Sequence, residues 1–210
     1  MALRRKVSSS ASSDRLEKLI VERMKPGSDK ELIDNRIWDL YGEDWCVMFS
    51  DLSGFSRGVE KFGIIHFLQT IYESERLLIP VIDHHDGILL KVEGDSFMVI
   101  FRNVYKAISA SIEMQKTLYG YNKGKSDEEQ VLLCLGLGFG KMLKIGDSDV
   151  FGAEVNAASK LGEDKAEAWE ILVTDSVKEK AREMSDIDFE AIDYTPPGAR
   201  GAYKVIYNLE

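Results

Sequence analysis

Apolar residues recur along this chain with two different periods, and the changes of period mark its elements. Over residues 14–41 the spacing is helical in two pieces, broken at Pro26-Gly27. Asp14 can cap the first piece, whose stripe is Leu16, Leu19 and Ile20. The second places Leu32, Ile33, Ile37 and Leu40 to one side. Ahead of both, residues 1–13 read as a disordered tail, since five of the six residues Ser8–Ser13 are serine. Cys46–Phe49 is a short apolar run ending at Ser50-Asp51 and reads as a buried strand. Residues 58–78 carry Phe62, Ile65, Leu68, Ile71 and Leu78 near helical spacing, with Pro80 and Asp86-Gly87 bracketing the end.

Ile88–Val92 and Ser96–Phe101 are two strands joined through Glu93-Gly94-Asp95, a hairpin signal. Val104, Ile108, Ile112 and Leu118 predict a helix over 104–119, and 121–129 is a polar loop. Val131, Leu133, Leu135, Leu137 and Phe139 alternate with other residues, so 130–145 is a strand. Gly136, Gly138 and Gly140 occupy its other face, where another backbone can come close. A helix over 153–165 follows, then a strand Ile171–Thr174, a helix Ser176–Met184 and a closing hairpin over Phe189–Leu209 through Pro196-Pro197-Gly198.

This order predicts an α+β fold. Its core is a ferredoxin-like βαββαβ unit with an additional C-terminal αβ and β-hairpin, preceded by a short helical extension. The division is a tail over 1–13, the extension over 14–41 and the main domain over 42–210. In this plan the first and third strands are central, which sets the strand ending at Asp51 beside the hairpin carrying Asp95. The extension is too short to be a domain; it could dock on the core or pair with another chain.

A length of 210 residues suits one domain of roughly 150–180 residues plus such an extension. Hydrophobic residues at 44% and charged residues at 30% exclude global disorder. Acidic residues outnumber basic ones 36 to 27, so a nucleic-acid backbone is not the expected partner. No apolar run approaches the length of a membrane span, and the N-terminal MALRRKVSSSASSD lacks the apolar core of a secretory signal. Cys46 and Cys134 sit inside CVMF and VLLCLGL without any CxxC, which fits reduced core thiols and a cytoplasmic location. His66, His84 and His85 offer no usual zinc spacing.

The chemistry suggested by this layout lies at Asp51 and Asp95. Each stands where a strand meets a loop, and two carboxylates brought together repel. A divalent cation resolves that conflict: Mg²⁺ takes one or two carboxylates and completes its shell with substrate phosphates and water. Two such ions can clamp the attacking and leaving oxygens on phosphorus. Leu52, Ser53, Gly54, Phe55 and Ser56 follow Asp51, and their amides with the next helix N-terminus would seat a phosphate. The plain alternative is a helix-capping Asp51 and a turn residue at Asp95.

Three segments, in order, sharpen this. FSDLSGFS (49–56), KVEGDSFMVIF (91–101) and DVFGAEVNAASK (149–160) resemble the F-x-D-I-x-G-F-[ST], K-x-x-G-D and D-x-x-G-x-x-V-N-x-A-[SA]-R motifs of class III nucleotidyl cyclases. The similarity covers about residues 45–207. It implies a homodimer with two equivalent sites and two divalent cations, Mg²⁺ or Mn²⁺, per site on Asp51 and Asp95. The ribose 3′-hydroxyl of a nucleoside triphosphate attacks its own α-phosphorus and pyrophosphate leaves. The metal aspartates come from one copy and the base- and ribose-reading residues from the other.

The resemblance places Lys91 and Asp149 at the base-reading positions. Lysine donates and aspartate accepts, which complements N1 and N6 of adenine and mismatches guanine twice, so ATP is expected over GTP. Asn156 matches the ribose-orienting asparagine and is expected to face inward if Val155 packs the other way. At 160 the family has arginine, which stabilises the transition-state phosphates; here it is Lys160, which keeps the charge and loses the planar fork. Arg200 and Lys204 are candidates for a further phosphate contact. The expectation is an adenylate cyclase making cyclic AMP. The second reading is a weak or inactive nucleotide-binding regulatory dimer with Lys160 as the defect, and the third is an interaction module with a vestigial pocket. Regulation would enter through residues 1–41 or a separate partner.

Other patterns are set aside. Gly136-Leu137-Gly138-Phe139-Gly140 lies in a strand and does not open a helix, so it is no dinucleotide fingerprint. His84-His85-Asp86 reads as a polar loop and Glu93 as a turn residue. The G-G-[DE]-E-F signature of diguanylate cyclases is absent, since the hairpin reads E-G-D-S-F.

Overall fold

A computed structural model describes residues 11–53, 63–127 and 129–209. The elements are α1 (Ala11–Arg23), α2 (Lys30–Tyr41), β1 (Gly42–Leu52), α3 (Ile64–His84), β2 (Ile88–Glu93), β3 (Ser96–Phe101), α4 (Val104–Asn122), β4 (Leu133–Ile145) and β5 (Asp149–Phe151). Next come α5 (Ala153–Ser159), a π-helical turn (Lys160–Lys165), β6 (Ile171–Thr174), α6 (Asp175–Lys180), β7 (Asp188–Ala191) and β8 (Ala202–Ile206). The strands form one sheet in the order β2-β3-β1-β4-β6-β8-β7, with β5 added to β4. All neighbours are antiparallel except β4 and β6. The first and third strands are adjacent, as the α+β ferredoxin-like plan requires.

The alternation in β1 and β4 divides the core. Cys46, Met48 and Leu52 of β1 and Leu133, Leu135 and Leu137 of β4 face one side, where Leu78, Val81 and Ile82 of α3, Ile108, Met114 and Leu118 of α4 and Val177 of α6 cover them. Trp45, Val47 and Phe49 face the other side and meet Val155 and Ala158 of α5. Here the glycines of β4 matter. A Cβ on Gly136 would stand 2.2 Å from the Gly162 nitrogen, and one on Gly138 would stand 2.4 Å from the Glu154 carbonyl oxygen. The helix backbone rests directly on the strand backbone, as the glycine face of the strand predicted.

Several boundaries differ from the sequence reading. α1 begins at Ala11, inside the span read as tail. α3 runs through Pro80 to His84: the missing Pro80 N–H costs one hydrogen bond, while Leu78, Val81 and Ile82 stay buried on both sides of it. The start of that helix, expected at 58, lies outside the described residues. The helix expected over 153–165 is regular only to Ser159; Ala166 N–H then reaches back to the Leu161 carbonyl at 2.8 Å, the wider π spacing. β5 is too short to announce itself in the hydrophobic pattern. The extension docks on the core: Leu19, Ile33, Ile37 and Tyr41 pack with Ile145. Ile20, Leu32 and Leu40, placed on the apolar stripes by spacing, are exposed instead.

Candidate active site

Asp51 ends a strand that pairs on both sides, with β3 through Ser50↔Phe97 and with β4 through Asp51↔Cys134. Asp95 occupies the two-residue turn between β2 and β3, where Gly94 adopts φ +63°. Two ties hold this hairpin end against β1. The Phe97 N–H donates to the buried Ser50 hydroxyl at 3.1 Å, and the Ser96 hydroxyl donates to Asp51 Oδ1 at 3.3 Å. The Leu52 backbone also bonds the Asp95 carboxylate. The two aspartates, 44 residues apart in sequence, therefore face one another as expected.

Their electrostatics are those of a crowded anionic pair. Burial pushes the Asp51 carboxyl up to about 7, with the nearby Asp95 charge as the next cause. Burial likewise raises Asp95 against the pull of its backbone hydrogen bonds. The Glu163 charge, from the π-helical turn, adds to both. Asp95 Oδ2 is buried and has no hydrogen-bond partner among the described residues. An orphaned carboxylate oxygen beside a second carboxylate is a donor set suited to a hard divalent cation. Among the described residues no three His, Cys, Asp or Glu side chains converge on one point, so such a cation would take its remaining ligands from phosphate and water.

The loop after Asp51 is described only at its start. Leu52 is buried in the core, and the Ser53 N–H donates to the Leu132 carbonyl at 2.8 Å, so that amide is taken by the sheet. Gly54, Phe55 and Ser56 lie outside the described residues.

Lys91 and Asp149 meet although 58 residues separate them: Lys91 Nζ donates to Asp149 Oδ2 at 2.6 Å. The Val150 N–H donates to Asp149 Oδ1 at 2.9 Å and fixes the carboxylate. A donor and an acceptor thus stand side by side on β2 and β5. Asn156 departs from expectation. Val155, Ala157 and Ala158 are buried, whereas Asn156 is exposed and its Nδ2 donates to the Pro197 carbonyl at 3.0 Å. α5 rests on the glycines through Val155, Ala157 and Ala158, and Asn156 lies on its outer side. The Lys160 N–H bonds the Asn156 carbonyl, so the two residues share that side. The Lys160 ammonium pairs with Asp164 at 2.6 Å, and this partner holds its pKa above the ordinary lysine value.

Arg200 and Lys204 are both engaged, Arg200 with Asp175 and Glu179 and Lys204 with Glu170 at 2.7 Å. Sequence reasoning missed three neighbours. Ser96 follows Asp95 directly and was visible as a hydroxyl in the motif. Cys134 stands opposite Asp51 in register, its thiol pushed up to about 12 by burial and the Asp51 charge; only the pairing of β1 with β4 reveals it. Glu154 is partly buried, accepts from the Phe139 N–H at 3.2 Å and the Ser176 hydroxyl at 2.9 Å, and pins α5 to β4 and α6.

Comparison with known proteins completes the assignment. Residues 41–205 match the family described as the adenylate and guanylate cyclase catalytic domain. Over 144 residues the chain is 25% identical to "Putative adenylate cyclase 3" of Rhizobium meliloti (strain 1021), covering 69% of this chain and 24% of that protein. The chain spans about a quarter or less of the length of the curated relatives it matches. Among solved structures, the adenylyl cyclase CyaB from P. aeruginosa is similar with a TM-score of 0.65 at 21% identity, over 80% of this chain and 95% of that one. The guanylate cyclase domain of RhGC from Catenaria anguillulae, solved in complex with GTP, gives 0.65 at 16% identity, over 79% and 97%. The paired aspartates, the sheet order and the match over 41–205 agree, and the chain belongs to the class III adenylate and guanylate cyclase catalytic domain family.

Proposed function

We propose that this chain is an adenylate cyclase that converts ATP to 3′,5′-cyclic AMP and pyrophosphate as a homodimer. The observation that carries the reading is the Asp51–Asp95 pair with its orphaned Oδ2, which calls for cationic partners. Asp51 and Asp95 would hold two divalent cations, Mg²⁺ or Mn²⁺. Bound there, these ions supply charge neutralisation at the phosphates and a lowered pKa at the 3′-hydroxyl. Ser96 keeps one Asp51 oxygen oriented, and the Leu52 amide does the same for Asp95.

Lys91 and Asp149 select the base. The Lys91 ammonium offers a proton to N1 of adenine and the Asp149 carboxylate accepts from N6, whereas guanine would face donor against donor and acceptor against acceptor. Their contact at 2.6 Å holds both groups ready in one place. Asn156 orients the ribose. Its exposure in the single chain is what a site shared with a second copy needs. Lys160 meets the growing phosphate charge, and the Asp164 carboxylate must give it up first. The extension offers a route for regulation through residues 1–41: α1 and α2 pack on Ile145, whose register partner on β5 is Asp149.

The test is release of cyclic nucleotide and pyrophosphate by the purified chain, with ATP or GTP and Mg²⁺ or Mn²⁺. Cyclic AMP from ATP is the expected product. Cyclic GMP as the main product would refute the base-pair argument. Cyclic AMP formation persisting in both Asp51→Ala and Asp95→Ala would refute the metal assignment. The Lys160–Asp164 pair favours a second reading, a nucleotide-binding dimer of low turnover. Its mark is ATP-dependent thermal stabilisation without product.

A further inference from the structure

Asn156 does not stand alone on its helix. The segment joining β7 to β8 folds over the start of α5, and its tip is a tight turn in which the Ala199 N–H donates to the Pro196 carbonyl at 3.2 Å. Pro197 and Gly198 are its central residues, and Gly198 has φ +105°. Proline followed by a positive-φ glycine is what a type II turn demands. The tip is pressed onto α5: a Cβ on Gly198 would stand 2.3 Å from the Ala153 carbonyl oxygen. In this seat the Pro197 carbonyl receives the Asn156 amide. A carbonyl can only accept, so the bond fixes which end of the Asn156 side chain is NH₂ and leaves Oδ1 as its free acceptor.

The turn is fastened at its other end. Asp175, first residue of α6, accepts the Arg200 backbone N–H at 3.0 Å and the Arg200 Nε at 2.9 Å, and Glu179 takes the guanidinium Nη2 at 3.2 Å. The Asp175 N–H returns a bond to the Gly201 carbonyl at 3.1 Å. The Arg200 side chain is 77% exposed and the Asp175 side chain 13%, so the arginine closes over an aspartate already in place.

We propose that Arg200 and Asp175 are positioning residues: they clasp the Pro196–Gly198 turn onto α5, and the turn's Pro197 carbonyl sets the orientation of the Asn156 side chain. This rests on the ribose-orienting role assigned to Asn156 above. It also gives Arg200 a different task from the phosphate contact suggested by its position in the sequence. Its backbone N–H and Nε are already given to Asp175 and its Nη2 to Glu179.

The experiment compares Arg200→Ala, Asp175→Asn and the double variant, reading two properties of each. The first is the Asn156 side-chain NH₂ signal in ¹⁵N–¹H spectra, assigned by its loss in Asn156→Ser. In the parent chain it is expected to be shifted and protected by the Pro197 carbonyl. In either single variant it moves towards the position of a solvated amide and exchanges at least about tenfold faster. The second is steady-state cyclisation. Each single variant is expected to lose roughly tenfold to a hundredfold in kcat with KM for ATP within about twofold, and the double variant no more than the worse single one. Arg200→Lys, which keeps the charge, recovers part of the loss. Because the Arg200 side chain is exposed, its removal leaves the melting temperature within a few degrees, which separates misplacement from unfolding.

An unmoved Asn156 amide in Arg200→Ala overturns the clasp. So does a rise in KM for ATP confined to Arg200→Ala with Asp175→Asn unaffected, the pattern of a direct phosphate contact. If the parent chain forms no cyclic nucleotide, the cyclase reading fails, and the amide signal still decides the clasp.

Discussion

Replacing Asp51 by asparagine should stabilise the cation-free protein, by an amount that grows from about pH 4 to about pH 7 and is constant above it. The Asp51 carboxyl titrates near 7 in the fold because burial and the Asp95 charge disfavour its ionised form, while in an unfolded chain it titrates near 3.9. Between those values the folded state holds the extra proton, so stability falls as pH rises through the window from about 4 to about 7. At 1.36 kcal/mol per pH unit the full loss would be about 4 kcal/mol. Asp51 is only half-buried, and solvent screening reduces this to about 2 kcal/mol. The amide of the Asp51→Asn variant keeps an oxygen for the Ser96 hydroxyl and carries no charge at any pH. The assay is thermal unfolding of parent and Asp51→Asn in EDTA at pH 4.5 and pH 8. At pH 4.5 the two should melt within about 2 °C of each other. At pH 8 the variant should melt about 4–8 °C higher, the range for a chain of this size. Adding Mn²⁺ at pH 8 should raise the parent and leave the variant unchanged. Equal melting of the two proteins at pH 8, or a gain that is the same at both pH values, would refute the reading of an ionised pair held together at a cost.

Lys91→Ala and Asp149→Ala should each lower the preference for ATP over GTP about tenfold or more, since one base contact is worth roughly 1–3 kcal/mol; an unchanged ratio of kcat/KM values in competition assays would remove the pair from base selection. Lys160→Arg should raise kcat, and Asp164→Asn should do so more modestly by freeing the lysine from its partner; turnover unchanged in both places the limitation elsewhere. Gly136→Ala should cost about 3 kcal/mol or more in chemical denaturation, because its Cβ would meet backbone atoms that cannot swing aside. Glu154→Ala should cost about 1–3 kcal/mol by leaving the Phe139 N–H without its acceptor, and Glu154→Gln less.

Much of this arrangement is legible before any coordinates. The strand ending at Asp51 and the Gly94-Asp95 turn are local signals, and the ferredoxin-like order is enough to set them side by side. The alternation of leucines with glycines in β4 announces both a covered face and a close approach. Spacing alone failed where a residue's neighbours come from elsewhere in the chain. Asn156 was expected inward if Val155 packed the other way, yet Val155 itself takes the inward place against Trp45, Val47 and Phe49. Leu32 and Leu40 fit the helical stripe of α2, but the face of α2 that meets Ile145 carries Ile33, Ile37 and Tyr41 instead. The bond from Ser53 to Leu132 and the neighbourhood of Cys134 and Asp51 both depend on strand register, which no run of sequence states by itself.

The seam between α5 and β4 has a consequence of its own. Most helices meet a sheet through interlocked side chains, whose rotamers spread the distance between the two. Here main chain touches main chain at Gly136 and Gly138, and no rotamer lies between them. The height of Asn156 and Lys160 above the sheet is then set first by a backbone dimension, with the packing of Val155 and Ala158 on Trp45, Val47 and Phe49 beside it. Such a seam can tighten no further and can loosen only by parting. If the proposed function is right, the activity of the parent chain should hold close to the melting transition and fall with it.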